Sequence, residues 1–422
     1  MIASGSALEQ GRLALAAYLA WARRRGEGVT DAEIRAVLGP DTMPSLVRGV
    51  LHIRRDLAGC RLVTDPVEEV PGRVVAAAVA EDGTRMRASA VIRDDGNTHV
   101  MIVKALPEGL VLREAVAADG PRLAEICRST PIVTGPLRAT IDYGQDYLRA
   151  TEVADPRIVL LVEADDRIVA LHGCVVHDGV VGDRPQKLAY LRHTRIDPAL
   201  QGAGIFSALN GALFERGFAA GATAYSLVAV GNERMQEKLP EELRRWPWRH
   251  KRFYIDTRSL AADATALVEI DPEDAAPLIN RLYDGKAVSP PTTPAALRRR
   301  LQATPDIYGP DLLLGNADAL VGVSRRPIHI TTEGPDGTRL RREAVAYDIG
   351  ASDADAFEGV IRSWCRRLAA AGADDLVVDV TTASPLHDRL AGLARTSREY
   401  ALQFGISPPP DVIGFRVDPA FI

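Results

Sequence analysis

Cysteine is scarce in this chain, and the four present, Cys60, Cys127, Cys174 and Cys365, lie far apart. They form neither metal-ligand spacing nor a disulfide framework, so each reads as a buried small apolar residue in a reducing compartment. A basic excess is also missing: 51 Lys and Arg stand against 56 Asp and Glu, for a net charge of −5. Nothing is left over to displace the counterions of a nucleic acid, and no nucleic-acid partner is expected. No apolar run approaches the roughly 20 residues of a membrane span. The apolar piece Leu13 to Trp21 is flanked by acids and arginines and lacks a cleavage-like site, which excludes a secretion signal. The histidines lack the paired spacing of a metal site, so no metal is expected. There is no Gly-x-Ser-x-Gly elbow and no Gly-Lys-Ser/Thr phosphate loop. What remains is a 422-residue chain, 46% hydrophobic and 25% charged. That is the composition of a soluble cytoplasmic protein of two or three domains.

Three helical patterns open the chain. Residues 6–25 end in Arg23-Arg24-Arg25-Gly26, a basic last turn with a glycine stop. Thr30-Asp31-Ala32-Glu33 reads as a capped start for a second helix running to Leu38, and a third covers Met43 to Leu57. The period then changes to 2. Arg73 to Ala80 and Arg85 to Ile92 form a hairpin about Glu81-Asp82-Gly83-Thr84, and His99 to Leu106 is a third strand. Helices followed by an antiparallel meander predict a small α+β domain over 1–107, faintly similar to the NTF2/cystatin-like rolls. A helix-turn-helix reading of residues 29–57 conflicts with the acidic balance and the following sheet.

Beyond Pro107, Leu110 to Ala115 is a short strand and Pro121 to Arg128 a helix with Asp119 at its cap. Residues 130–155 read as a long irregular stretch holding Tyr143, Asp146 and Tyr147, and loops of that length are usually functional. Ile158 to Glu163, Arg167 to His177 and Leu188 to Ile196 follow as strands, the last two joined by a loop from Asp178 to Gln186. Next comes the run Ile196-Asp197-Pro198-Ala199-Leu200-Gln201-Gly202-Ala203-Gly204-Ile205-Phe206, leading into a helix over Ser207 to Ala219. A glycine loop between a strand and a helix start leaves backbone N–H groups free for an anion. Ala222 to Val230 is a strand, Asn232 to Leu239 a short helix, and Trp246 to Ile255 a closing strand.

The order Ile-x-Pro-x-x-Gln-Gly-x-Gly-Ile, set between that strand and that helix, resembles the acyl-CoA-binding motif of the GNAT acyltransferases. Gln201 and Gly204 match the family pattern, while Phe206 stands where a small residue is usual. The resemblance implies a GNAT acyl-CoA-binding domain over 108–260. It also implies an acetyl-CoA or other acyl-CoA donor, whose pyrophosphate rests on Gly202, Ala203, Gly204, Ile205 and Phe206 with a contact from Gln201. The pantetheine arm would pair along Thr194, Arg195 and Ile196, and Asn232 would touch the donor.

Residues 261–422 repeat the plan at an offset of about 150 residues. Ala219-Ala220-Gly221-Ala222 is echoed by Ala370-Ala371-Gly372-Ala373, Phe206 falls on Phe357, and Leu239 falls on Leu390. The strand Arg167 to Gly173 has its counterpart near Ala319 to Arg325, and a helix over Asp274 to Leu282 parallels the one at Pro121. The expected fold is therefore α+β, with two tandem GNAT-like domains behind the N-terminal domain and the second of them degenerate. At the position of Gly204 stands Asp355, in a run with Asp348 and Asp353. Like-charge contacts there cost about 1 kcal/mol each near the surface and would repel a pyrophosphate.

Acyl transfer to an amine needs a group to take the amine's proton and an N–H near the thioester oxygen. Tyr190 and His193 are the candidate catalytic residues, with His172 on the neighbouring strand. Alternation puts Tyr190, Arg192 and Thr194 on one face, and His193 with Arg195 on the other. The family's tyrosine acid has no match in Met235-Gln236-Glu237-Lys238-Leu239, which leaves Tyr254 or a water for that role. The expected partner is a small-molecule or amino-acid-like amine acceptor, with no membrane partner and a homodimer left open. A non-catalytic acyl-CoA sensor and an acyl-CoA decarboxylase or hydrolase are the competing readings.

Overall fold

The computed structural model describes residues 6–134, 136–152, 157–181, 184–232, 249–260, 266–282, 292–325, 327–335 and 337–404. In chain order its helices are α1 (Ala7–Arg23), α2 (Asp31–Leu38), α3 (Pro44–Ile53), α4 (Gly120–Ser129), α5 (Tyr147–Ala150), α6 (Ile205–Ala219), α7 (Pro272–Arg281), α8 (Pro294–Ala303), α9 (Ala354–Ala370) and α10 (His387–Leu393). The first ten strands are β1 (Arg61–Leu62), β2 (Val67–Val70), β3 (Arg73–Val79), β4 (Arg85–Ile92), β5 (Thr98–Lys104), β6 (Leu110–Glu114), β7 (Ile132–Thr134), β8 (Leu137–Asp142), β9 (Arg157–Ala164) and β10 (Arg167–Val181). The second ten are β11 (Arg184–Ile196), β12 (Ala222–Ala229), β13 (Arg249–Asp256), β14 (Val268–Glu269), β15 (Leu313–Gly315), β16 (Ala319–Val323), β17 (Ile328–Gly334), β18 (Gly337–Ala351), β19 (Asp375–Thr381) and β20 (Thr396–Phe404).

Contacts divide the chain into two compact units. One comprises Met1–Glu114, Val159–His172 and Ile196–Ala224; the other comprises Ala115–Ile158, Gly173–Arg195 and Tyr225–Ile422.

In the first unit, α1 and α2 begin with capping boxes, Ser6 with Glu9 and Thr30 with Glu33, which satisfy backbone donors at both helix starts. The antiparallel sheet runs β1-β3-β4-β5, with β2 also on β3. Alternation along β3 buries Val74, Ala76 and Ala78, and a core of Leu15, Leu19, Ile34, Leu51 and Ala88 fills the space beneath the helices. Helix α6 covers the other face. A Cβ placed on Gly211 would meet the Met101 sulfur at 3.1 Å and a Val103 methyl at 3.0 Å, so glycine permits the close approach of helix and sheet. Glu215 of α6 is buried, and its carboxylate accepts from Ser89 Oγ at 2.5 Å and from Arg87 Nη1 at 2.6 Å. In this unit β6 also pairs antiparallel with β9, with Leu110 opposite Ala164.

In the second unit the strand order is β14-β15-β16-β18-β19-β13-β20-β12-β11-β10, with β17 on β18 and β8, and β7 on β8. Strands β18 and β19 are parallel. Strand β13 lies between β19 and β20, antiparallel to both, and β20 continues onto β12. Strand β13, the strand expected to close the segment 108–260, is thus inserted between two strands of the segment that follows it. The core gathers Phe253, Phe357, Trp364, Leu376 and Leu402, with the Trp364 indole donating to the Val321 carbonyl at 2.9 Å. The molecule is mixed α+β, with an N-terminal antiparallel sheet and a large mixed sheet.

Two expectations need correction. The stretch 130–155 is not irregular throughout: β7 and β8 form a hairpin, β8 pairs with β17 (Thr140 opposite Thr331), and α5 follows. Only Ala139 is buried along β8, so a strand held by a distant partner shows little alternation. The loop placed at Asp178 to Gln186 is largely strand, since β10 reaches Val181 and β11 starts at Arg184. The helix expected over Asn232 to Leu239 lies outside the described residues beyond Asn232.

Candidate donor loop and proton-handling site

The loop after β11 falls in the first unit. Asp197 accepts from the Ala199 N–H at 2.9 Å and pairs with Arg167 at 2.8 Å, which starts a tight turn. Gly202 and Gly204 both take left-handed backbone, at φ 91° and 87°, where a side chain is strained. Gly204 caps α6 without a side-chain hydrogen bond, so the N–H groups of the first helical turn stay available. Space beside Gly202 is open, and a Cβ on Gly204 would strike the Cβ of Lys104 at 2.9 Å. A helix start with bare glycines and no cap fits an anionic group such as a pyrophosphate. Phe206, large where the motif is usually small, packs tilted against His172 with ring centroids 6.0 Å apart.

The second half shows the opposite chemistry. Asp353 caps α9 by accepting from Ala356 N–H at 2.7 Å, so a carboxylate takes the place an anion would need. Asp355 pairs with Arg389. Asp348 is not at the helix start: it is buried in β18, accepting from Tyr308 at 2.9 Å and pairing with Arg300 at 3.1 Å.

In the second unit, β11 carries an irregularity that pattern reading missed. His193 has φ 54°, against the extended backbone of a strand. The twist breaks the alternation expected along Tyr190 to Arg195. Arg192 and His193 meet side by side instead, with Arg192 Nη2 2.9 Å from His193 Nε2. A guanidinium only donates, so the closer Nε2 accepts, at 2.9 Å against 3.3 Å to Nδ1, and a neutral ring then carries its proton on Nδ1. That nitrogen faces Tyr147 Oη at 2.8 Å, while Tyr143 Oη stands 3.4 Å from Nε2. Burial raises the phenol pKa of both tyrosines, so they stay protonated. Tyr147 is set by α5, which Asp146 caps through the Arg149 N–H at 3.0 Å. Tyr190 lies elsewhere, buried against Tyr225 with centroids 5.1 Å apart. Arg195 is buried, with Nη1 donating to the Thr194 carbonyl at 2.8 Å and, among the described residues, no partner for its Nε. Asn232 follows β12 in a turn closed by its N–H to the Ala229 carbonyl at 3.0 Å.

A charged network on the second unit's sheet also escaped the sequence reading. Asp379 of β19 has a fully buried carboxylate that meets His250 Nε2 at 3.0 Å and Arg252 Nη2 at 2.9 Å. Burial alone would raise its pKa, but Arg252 and His250 outweigh that and hold it well below the usual carboxylate range. Tyr254, the other candidate acid, shares β13 with them, and burial raises its pKa. The four cysteines are buried, with burial pushing Cys127 to about 11 and Cys174 and Cys365 to about 12, which leaves no ready thiolate. Among the described residues no helix is long and apolar enough to cross a membrane, and no His/Cys/Asp/Glu group could hold a metal.

Residues 125–237 match the family model described as Acetyltransferase (GNAT) family. Among solved structures, the chain is similar to Saccharomyces cerevisiae N-myristoyltransferase with bound myristoyl-CoA. Identity is 10% and TM-score 0.51, over 74% of this chain and 88% of that one. A second structure of that enzyme with bound myristoyl-CoA gives 10% and 0.50, over 75% and 84%. A GCN5-related N-acetyltransferase from Sphaerobacter thermophilus is similar at 13% identity and TM-score 0.47, over 74% and 99%. No curated protein matches the sequence. The resemblance to the GNAT superfamily holds over the matched segment, and the fold is the tandem GNAT arrangement of N-myristoyltransferase.

Proposed function

We propose that this chain is an acyl-CoA-dependent N-acyltransferase acting on a small-molecule or amino-acid-like amine, with acetyl-CoA as the first donor to test. The observation that carries the reading is the uncapped start of α6 at left-handed Gly204, inside the segment that matches the GNAT model. The donor's pyrophosphate would be held by the N–H groups from Gly202 to Phe206 with Gln201 beside it. Its pantetheine would lie along Thr194, Arg195 and Ile196, with Asn232 as a further contact.

The amine nitrogen attacks the thioester carbonyl, the C–S bond breaks, and sulfur leaves as the CoA thiolate. His193 takes the amine's proton on Nε2 when the amine displaces the Arg192 N–H that occupies that lone pair. A neutral imidazole, fixed by Tyr147 and Arg192, is the form that can accept it. Tyr190 is the weaker candidate, because it sits in the aromatic core. The second GNAT-like half acts as a structural or substrate-shaping domain, since Asp353 already caps the helix that would otherwise receive phosphate.

Isothermal titration with acetyl-CoA and longer acyl-CoA thioesters tests the donor half. Binding in the micromolar range that Gly204→Glu abolishes supports it. Absence of binding to every thioester, or an unchanged titration in the variant, removes it.

A further inference from the structure

One end of the donor loop opens onto a cavity of about 250 Å³ lined by Thr84, Arg85, Lys104, Leu106, Gly202 and Ala203, among others. Sites for whole small molecules run to about 300–1,000 Å³, so this space suits one end of a larger ligand. Two of its walls differ in origin. Gly202 and Ala203 belong to the loop, while Thr84, Arg85 and Lys104 come from the N-terminal sheet.

The register sets Lys104 opposite Met86, with Arg85 one rung further on beside Ala105, so the two cations leave the same end of the sheet from successive rungs and both line the cavity. Arg85 begins β4 and Lys104 ends the adjacent β5, with the Arg85 carbonyl accepting from Ala105 N–H at 2.9 Å. The Lys104 stem lies over Gly204, where an added Cβ would meet its Cβ at 2.9 Å and its Cδ at 3.3 Å. A larger residue at 204 would push that stem aside.

Three arginines on or beside the same sheet are engaged, Arg73 with Glu69, Arg87 with Glu215 and Arg93 with Asp95, whereas Arg61 of β1 is not, among the described residues. Arg85 and Lys104 make no side-chain hydrogen bond or ion pair among the described residues. Asp56 and Asp82 are the carboxylates that feel Lys104, at longer range. Two exposed cations facing a bare-glycine loop, in a chain of net charge −5, mark a local place for phosphate.

We infer that this cavity takes the 3′-phosphate of the donor nucleotide, with Arg85 and Lys104 as its cation pair, so that the N-terminal domain completes the donor site. The inference rests on the acyl-CoA reading above and assigns the N-terminal sheet a binding role in it.

The test is calorimetric titration of the full chain with CoA and with dephospho-CoA, which differ only in that phosphate. Wild type should bind CoA about tenfold or more tightly than dephospho-CoA, the worth of charge-assisted hydrogen bonds. The double variant Arg85→Gln/Lys104→Met keeps the stem over Gly204. It should bind CoA no better than dephospho-CoA, and should hold dephospho-CoA as wild type does, which also shows that it folds. Equal wild-type affinity for the two ligands overturns the inference and leaves the donor reading standing. So does a variant that loses both ligands in equal measure. Wild type that binds neither ligand removes the donor reading and this inference with it.

Discussion

Replacing Glu343 by Gln should make the protein more stable, and only above a certain pH. Glu343 lies in β18 beside Asp375 of β19, and no hydrogen bond or ion pair holds its carboxylate among the described residues. Burial pushes its pKa from 4.5 to about 7, with Asp375 adding to the rise and Arg252, Arg341 and Arg398 opposing it. At about 1.4 kcal/mol per pH unit, the ionised form costs the fold about 3 kcal/mol. The folded carboxyl binds its proton more tightly than the unfolded one. Its contribution is therefore complete below pH 4.5 and is lost as the pH rises through about 7. Glutamine cannot ionise. Urea unfolding of Glu343→Gln and wild type at a series of pH values should show equal midpoints near pH 4.5, and a gain of about 2–3 kcal/mol for the variant above pH 7 at constant slope. A variant less stable than wild type at pH 8, or an effect independent of pH, would show that the arginines pair the carboxylate and that the reasoning is wrong.

Other substitutions separate structure from chemistry. Glu215→Ala should cost about 2–3 kcal/mol in chemical denaturation, less than the 3–5 kcal/mol of a fully buried pair, because its partners Arg87 and Arg73 keep 33% and 25% of their surface exposed and can rehydrate. Asp379→Ala strands His250 and Arg252 in the sheet and should cost the full 3–5 kcal/mol, read as a fall in urea midpoint. Gly204→Ala meets both a left-handed backbone and the Lys104 stem. It should lose about 1–2 kcal/mol of stability and weaken acetyl-CoA binding in calorimetry. His193→Gln should lower the acyl-transfer rate by about 10²–10⁴-fold while the calorimetric donor affinity stays as in wild type; a matching loss of affinity would make His193 a structural residue.

The elements that announced themselves in the sequence carry their signals locally. Ser6 with Glu9, and Thr30 with Glu33, are capping boxes readable over four residues, and both helices start there. The glycine loop after β11 is equally local, with its glycines, strand and helix contiguous. What stayed hidden depends on partners distant in sequence. The pairing of β8 with β17 and the seat of β13 between β19 and β20 leave no trace in short-range periodicity. The left-handed backbone of His193 breaks the alternation used to assign faces, so Arg192 and His193 were placed on opposite sides when they touch. Asp379 reads as an isolated acid inside Val377-Val378-Asp379-Val380, and only the neighbouring strand supplies the His250 and Arg252 that make its burial tolerable.

The most direct test of the central claim is the rate of CoA thiol release from acetyl-CoA by the purified protein, measured with and without a panel of primary amines. Release that depends on an amine, accompanied by the N-acetylated amine in the products, is the predicted result. Binding of acetyl-CoA with no release across the panel would make the chain a sensor of acyl-CoA. Release at the same rate without any amine would make it a hydrolase or decarboxylase on this fold, and either outcome contradicts the account.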